Sequence, residues 1–187
     1  MSTGEARTVR KRTKGLVIVF TGEGKGKTTA ALGMALRSAG HHYRVAVIQF
    51  IKGTMKTGEE AGARMLAPYV DWTVSGRGFT SGPWNVATKD EHRRAAVEAL
   101  QTAREKLISG EYRMVILDEV LGAIGAGIVS VPELLELIRL KPPAVHLVIT
   151  GRGAPQEIVD AADLVTEMKP IKHPYKEGIV AQKGVEF

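Results

Sequence analysis

One junction constrains this chain more than any other: the apolar run Leu16-Val17-Ile18-Val19-Phe20 leads directly into Gly22-Glu23-Gly24-Lys25-Gly26-Lys27-Thr28-Thr29. A short, unbroken, β-branched run is the pattern of a strand covered on both faces, as in a parallel sheet. Residues 28–39 read as a helix ended by Gly40. A glycine turn between such a strand and such a helix makes an anion nest. Its glycines let backbone N–H groups curl inward, and the helix aims its positive end at the same point. There Lys27 reaches the outer phosphates of a nucleotide, and the Thr28 hydroxyl is placed to bind Mg²⁺. The whole loop, Gly22, Glu23, Gly24, Lys25, Gly26, Lys27, Thr28 and Thr29, is the expected nucleotide-binding element. Its spacing departs from the usual phosphate-loop pattern, in which four residues separate the first glycine from the glycine before the lysine. Here Gly22 leaves three, and Thr21 stands at the usual position. The competing reading is a plain glycine turn with a lysine at a helix start. The order strand, loop, Gly-Lys-Thr-Thr, helix argues against it.

The alternation continues along the chain. Residues 44–51, 71–74, 114–117, 145–150 and 164–168 read as strands, the last of them as a core strand. Residues 89–108, 131–140 and 155–162 read as helices. The first carries apolar positions Ala95, Ala96, Ala99, Leu100, Ala103 and Leu107, and the second is introduced by Pro132. Strands alternating with helices predict an α/β fold, a three-layer P-loop sandwich around a mostly parallel central sheet. Residues 1–14 read as a basic arm and 15–187 as a single nucleotide-binding domain. The irregular stretches are 52–60, 75–88 and 169–187. The middle one holds Phe79 and Trp84 among glycines, and long loops in compact domains tend to be functional or disordered.

A second acidic element fits the first. Val115-Ile116-Leu117-Asp118-Glu119 is an apolar strand ending in two carboxylates. At the carboxyl end of a parallel strand these side chains reach the crevice that holds the phosphate loop. Asp118 or Glu119 is then expected to hold Mg²⁺ beside Thr28; the alternative is a solvated strand end with ordinary surface acids. Ile149-Thr150-Gly151-Arg152-Gly153 ends another strand on the same edge. Arg152 reads equally as a phosphate or partner contact and as an exposed turn residue. The five histidines have no metal-ligand spacing, and His41, His42 and His92 read as structural or solvated.

Composition narrows the partners. The net charge is +6, but Arg7, Arg10, Lys11, Arg12 and Lys14 concentrate it in the arm, which weakens it as a sign of nucleic-acid binding. There is no cysteine, so disulfides, thiolate metal sites and a cysteine nucleophile are excluded. No apolar run approaches the roughly 20 residues that span a bilayer, and no apolar segment follows the basic N-terminus as in a signal peptide. A soluble, cytoplasmic protein is the expectation.

Together these residues resemble the ATP:corrinoid adenosyltransferases of the cobalamin-biosynthesis type, over about residues 15–187. The resemblance rests on the stretch from Val19 to Ala30 and on Val47-Ile48-Gln49-Phe50-Ile51-Lys52-Gly53, Gly78-Phe79-Thr80 and Leu117-Asp118-Glu119. It extends to Ile149-Thr150-Gly151-Arg152-Gly153, to Val165-Thr166-Glu167-Met168-Lys169-Pro170, and to the tail from Ala181 to Phe187. It implies a RecA-like P-loop fold and transfer of the 5′-deoxyadenosyl group of ATP to the Co(I) centre of a corrinoid, with release of triphosphate. ATP is then co-substrate, Mg²⁺ the cation and the corrinoid the acceptor. Lys27, Thr28 and Glu119 take the catalytic roles, and Thr28, Asp118 and Glu119 the metal. The nucleotide of this family lies reversed in the loop. Its aromatics near the corrinoid displace the lower axial ligand. Phe79 matches the family phenylalanine; the tryptophan common two residues later is replaced by Ser81, with Trp84 the candidate substitute. The resemblance further implies a homodimer whose N-terminal segment closes over an active site, and admits a flavoprotein-type reductant.

Two rival readings share the phosphate loop. A small-molecule kinase would transfer the γ-phosphoryl group, but no arginine-rich segment supplies the usual lid. A nucleic-acid-dependent ATPase would use the basic arm on phosphates, but aromatics are only 5% of the chain and are not interleaved with basic residues.

Overall fold

The computed structural model describes residues 14–51, 58–78 and 87–185. Six strands form one parallel sheet: β1 (Val17–Thr21), β2 (Val45–Gln49), β3 (Val70–Val74), β4 (Met114–Asp118), β5 (His146–Thr150) and β6 (Leu164–Glu167). Their order across the sheet is β3-β2-β4-β5-β1-β6. Helix α1 (Lys27–Gly40) and helix α2 (Gly58–Met65) follow β1 and β2; α3 (Lys89–Ile108) follows β3. Helices α4 (Val120–Gly125) and α5 (Val131–Leu140) follow β4, and α6 (Gln156–Ala161) follows β5.

Alternate residues of the strands feed two separate cores. Val17, Val19, Ala46, Ile48, Val115, Leu117, Leu147 and Ile149 pack under α3 to α6. Ile18, Phe20, Val45, Val47, Met114, Ile116 and Val148 pack under α1 and α2. Every residue of β1, β2 and β4 is buried, as the continuous apolar runs require of a sheet covered on both faces. The helices meet it through alanines, Ala31, Ala35 and Ala39 of α1 and Ala99 and Ala103 of α3. These recur every fourth residue and so lie on one face. Connections running one way across the sheet place their helices on one face and those running the other way on the opposite face, the right-handed crossover rule.

Three local expectations are corrected. β6 is an edge strand with all four residues exposed, not a core strand; among the described residues it pairs only with β1, and its apolar Leu164 and Val165 make it look buried in sequence. Helix α2 begins inside the stretch read as irregular, because Gly58 and Gly62 dilute its helical signal. Helix α4, only six residues long and starting just after β4, is not marked by any sequence period. The arm up to residue 13, with Phe79 and Trp84, lies outside the described residues.

Candidate nucleotide site

The carboxyl ends of the inner strands meet at one edge of the sheet. Each inner strand ends on a polar residue after an apolar run, with His146 at the start of β5 the one other polar position: Thr21 in β1, Gln49 in β2, Asp118 in β4 and Thr150 in β5. All four are buried. Gln49 lies opposite Asp118 in the β2–β4 ladder, and Ile149 opposite Leu117 in the β4–β5 ladder, so Asp118 stands between Gln49 and Thr150. Its carboxylate accepts three hydrogen bonds: from Thr28 Oγ1 on Oδ1 at 2.8 Å, from Thr150 Oγ1 on the same oxygen at 2.8 Å, and from Gln49 Nε2 on Oδ2 at 3.1 Å. Thr28 and Asp118 are 90 positions apart in sequence, and the order of the sheet is what joins them.

The loop between β1 and α1 is shaped by backbone positions that exclude a Cβ. Gly22 has φ +97°, and a Cβ there would lie 2.4 Å from the Met168 carbonyl oxygen; one on Gly24 would lie 2.7 Å from it. Gly26 caps α1 with φ +115°. The segment after β6 is the wall behind the loop: the Met168 N–H donates to Thr21 O, and the Gly24 N–H donates to Met168 O, both at 2.7 Å. Gly24 therefore departs from the expectation of an inward-turned amide, since its N–H is held by that wall. Lys27 is only 7% exposed. Its ammonium donates to Gly22 O at 2.9 Å and to Gly24 O at 2.7 Å, so the loop closes around the lysine. Burial lowers the Lys27 pKa; the carboxylates of Glu119, Glu23 and Asp118 oppose the shift and Arg152 adds to it. Lys25 and Thr29 are exposed.

The amino end of α1 is unlike those of the two other long helices. No side chain caps it and no acid lies in its first turn. In α3, the Glu91 N–H donates to Thr88 Oγ1 at 3.2 Å and Glu91 accepts from the Thr88 N–H at 2.7 Å. In α5, Glu133 accepts from the Ser130 N–H at 2.8 Å. Opposite the loop, Glu119 takes φ +60°, and its N–H donates to Thr150 Oγ1 at 2.9 Å. Arg152 pairs with Glu23 of the loop at 3.1 Å, both side chains about two-thirds exposed. Among the described residues no group of three or more His, Cys, Asp or Glu side chains suits a metal ion. The donor set at Thr28 and Asp118 fits a hard cation that arrives with phosphate oxygens as its remaining ligands.

The structure thus brings Lys27, Thr28, Asp118 and Glu119 to one place. Gln49 and Thr150 belong there too, although sequence reasoning did not select them as site residues. The signal that finds them is a polar residue closing an otherwise apolar inner strand.

Comparison with known proteins now decides the family. A model of the family described as "ATP:corrinoid adenosyltransferase BtuR/CobO/CobP" matches residues 13–187. The chain belongs to the ATP:corrinoid adenosyltransferase family. Members curated as corrinoid adenosyltransferases include those of Pseudomonas aeruginosa, 41% identical over 93% of this chain and 84% of theirs, and Escherichia coli K12, 38% identical over 93% and 86%. One from Sinorhizobium is 42% identical over 93% and 81%. The chain is accordingly an enzyme of this transferase family, with adenosyl transfer to a corrinoid as its reaction and ATP and a corrinoid as substrates. The fold has a wider distribution. The flagellar accessory protein FlaH from Methanocaldococcus jannaschii superposes with a TM-score of 0.57 at 14% identity, over 83% of this adenosyltransferase and 71% of FlaH. No helix among the described residues is long and apolar enough to cross a membrane.

Proposed function

We propose that the chain transfers the 5′-deoxyadenosyl group of ATP to the Co(I) centre of a corrinoid and releases inorganic triphosphate. The cobalt–carbon bond forms at C5′ while the C5′–O5′ bond breaks, and the triphosphate leaves with that electron pair. The reduced cobalt is the nucleophile, so no serine, cysteine or general base of the protein is needed. The protein's tasks are to align C5′ with the corrinoid and to stabilise charge on the departing triphosphate.

The observation that carries this reading is the pairing of the Thr28 hydroxyl with Asp118 beside a buried Lys27 in a glycine loop. Lys27, released from the Gly22 and Gly24 carbonyls, is suited to the phosphates. The glycine-capped end of α1 presents partial positive charge to the same anion. Thr28 and Asp118 would hold Mg²⁺, with Glu119 assigned to it on the family resemblance; Mg²⁺ would supply Lewis-acid stabilisation of the triphosphate. Phe79 and Trp84 are assigned to the corrinoid on the family resemblance. The same resemblance supports a homodimer and admits a flavoprotein-type reductant; composition supports a cytoplasmic location, and the sequence pattern supports residues 1–14 as an arm on the single domain 15–187.

The test is product analysis after incubation with ATP, Mg²⁺ and chemically reduced cobalamin. The expected result is a light-sensitive alkylcobalt product with one triphosphate formed per cobalt. Formation of ADP, or of pyrophosphate without alkylation, would overturn the assignment.

A further inference from the structure

Thr150 lies outside the phosphate loop and the acidic strand end, yet it is fully buried between them. Its hydroxyl has one proton and two lone pairs, and its neighbours fix how they are used. The Glu119 N–H can only donate, so Thr150 Oγ1 accepts from it at 2.9 Å. The single hydroxyl proton is left for Asp118 Oδ1 at 2.8 Å. Thr28 donates to that same oxygen. One hydroxyl therefore ties the carboxylate that faces Thr28 to the backbone of the next residue, Glu119, in a left-handed conformation that L-residues avoid.

The strand end that carries Thr150 has little room to move. Gly151 has φ +136°, and a Cβ on it would lie 2.7 Å from Leu121 Cβ and 2.9 Å from the Gly122 nitrogen in α4. Thr150 is thus wedged against the turn that Glu119 opens. Gln49, by contrast, reaches only Asp118 Oδ2 and has no bond to Glu119 among those described.

We infer that Thr150 is a positioning residue for the cation that accompanies ATP: it sets the orientation of Asp118 and the backbone of Glu119 together. This rests on the proposed Mg²⁺ role of Thr28 and Asp118. Thr150 touches neither nucleotide nor corrinoid in this assignment and acts through the two acids. Groups that orient metal ligands typically change metal affinity about 10–100-fold when removed.

The experiment measures ATP binding by the full chain as Mg²⁺ is varied, with Mn²⁺ binding to the ATP complex followed by electron paramagnetic resonance. Thr150→Val should raise the cation concentration at half-saturation by about 10–100-fold. ATP binding in excess chelator should stay within roughly twofold of the unsubstituted chain, because Lys27 and the α1 amides are untouched. Thr150→Ser should restore most of the cation affinity, and Gln49→Met should shift it less than Thr150→Val. If the valine variant does not fold, Thr150→Ala removes the same hydroxyl without placing a methyl against Asp118 and is read by the same criteria. Cation dependence unchanged in the folded variant lacking the hydroxyl would overturn the inference while leaving the phosphate-loop reading intact. An unsubstituted chain whose ATP binding ignores both cations would overturn the Mg²⁺ reading, and the role of Thr150 with it.

Discussion

The amino ends of α1 and α3 obey the same electrostatics and are finished differently. Both helices leave first-turn N–H groups that need acceptors. In α3 the chain closes its own end: Thr88 Oγ1 accepts from the Glu91 N–H, and the Glu91 carboxylate accepts from the N–H of the cap residue Thr88. In α1 a glycine with positive φ stands where a capping side chain would, no acid follows, and a lysine is buried at the first position. Helix α5 repeats the closed pattern with Ser130 and Glu133. A helix end completed by its own carboxylate contributes to stability. One that keeps its positive end without an acid is suited to an external anion. Under the proposed function, the closed ends should matter to stability and the open end chiefly to nucleotide binding, and substitutions should divide along that line.

The largest effect is expected at Lys27. Lys27→Ala should reduce adenosylation by roughly 10²–10³-fold or more, the scale for loss of one preorganised charge-stabilising donor. The fold should be retained: loss of the hydrogen bonds to Gly22 O and Gly24 O costs about 1–3 kcal/mol, offset in part because an ammonium is no longer buried. A variant that melts early and keeps its activity would reverse the assignment of that residue. Next comes Gly22→Ala, which forces a Cβ towards the Met168 carbonyl oxygen in a left-handed conformation. A loss of about 1–3 kcal/mol is expected, read by chemical denaturation, along with weakened ATP binding. Equal stability in that variant would mean the wall behind the loop yields.

At the closed helix ends the effects should be smaller and confined to stability. Thr88→Ala should cost about 1 kcal/mol with kcat unchanged. At α5, the Arg93 guanidinium pulls the Glu133 pKa down to about 2, with the Ser130 hydroxyl and N–H helping. A depressed carboxyl contributes stability that is present above its unfolded pKa, near 4.5, and is lost as pH falls towards about 2. Glu133→Gln should therefore flatten the decline in stability between about pH 4.5 and 2, measured by thermal melts across that range. The smallest effect should be at Arg152. Its pair with Glu23 is mostly solvent-exposed, and Arg152→Ala should change stability by less than about 0.5 kcal/mol; a larger loss would show that this pair holds the loop.

How much of this was legible beforehand depended on whether a residue's role is local. The strand into the phosphate loop, α3 and α5 could be read from short-range pattern. Helices α3 and α5 match their expected limits, 89–108 and 131–140, because alanine and leucine periods and start signals lie within each segment. Lys27, Thr28, Asp118 and Glu119 were readable from two short motifs. Helix α2 was not, since two glycines weaken its period. The exposure of β6 was not either, since its Leu164-Val165 pair resembles a core strand and only its place at the sheet edge exposes it. Gln49 and Thr150 acquire their roles from the neighbours that strand order gives them. A single polar residue after an apolar run does not reveal which carboxylate it will face.

The contrast between the open and closed helix ends can be tested by following backbone amide resonances of the full chain during titration with inorganic triphosphate and Mg²⁺. The amides from Gly22 to Thr29 should shift saturably, with Gly24, already bonded to Met168, moving least among them. Those of Thr88 to Glu91 and of Ser130, Val131 and Glu133 should stay where they are. Stationary loop amides, with the capped helix ends shifting instead, would contradict the placement of the triphosphate at α1.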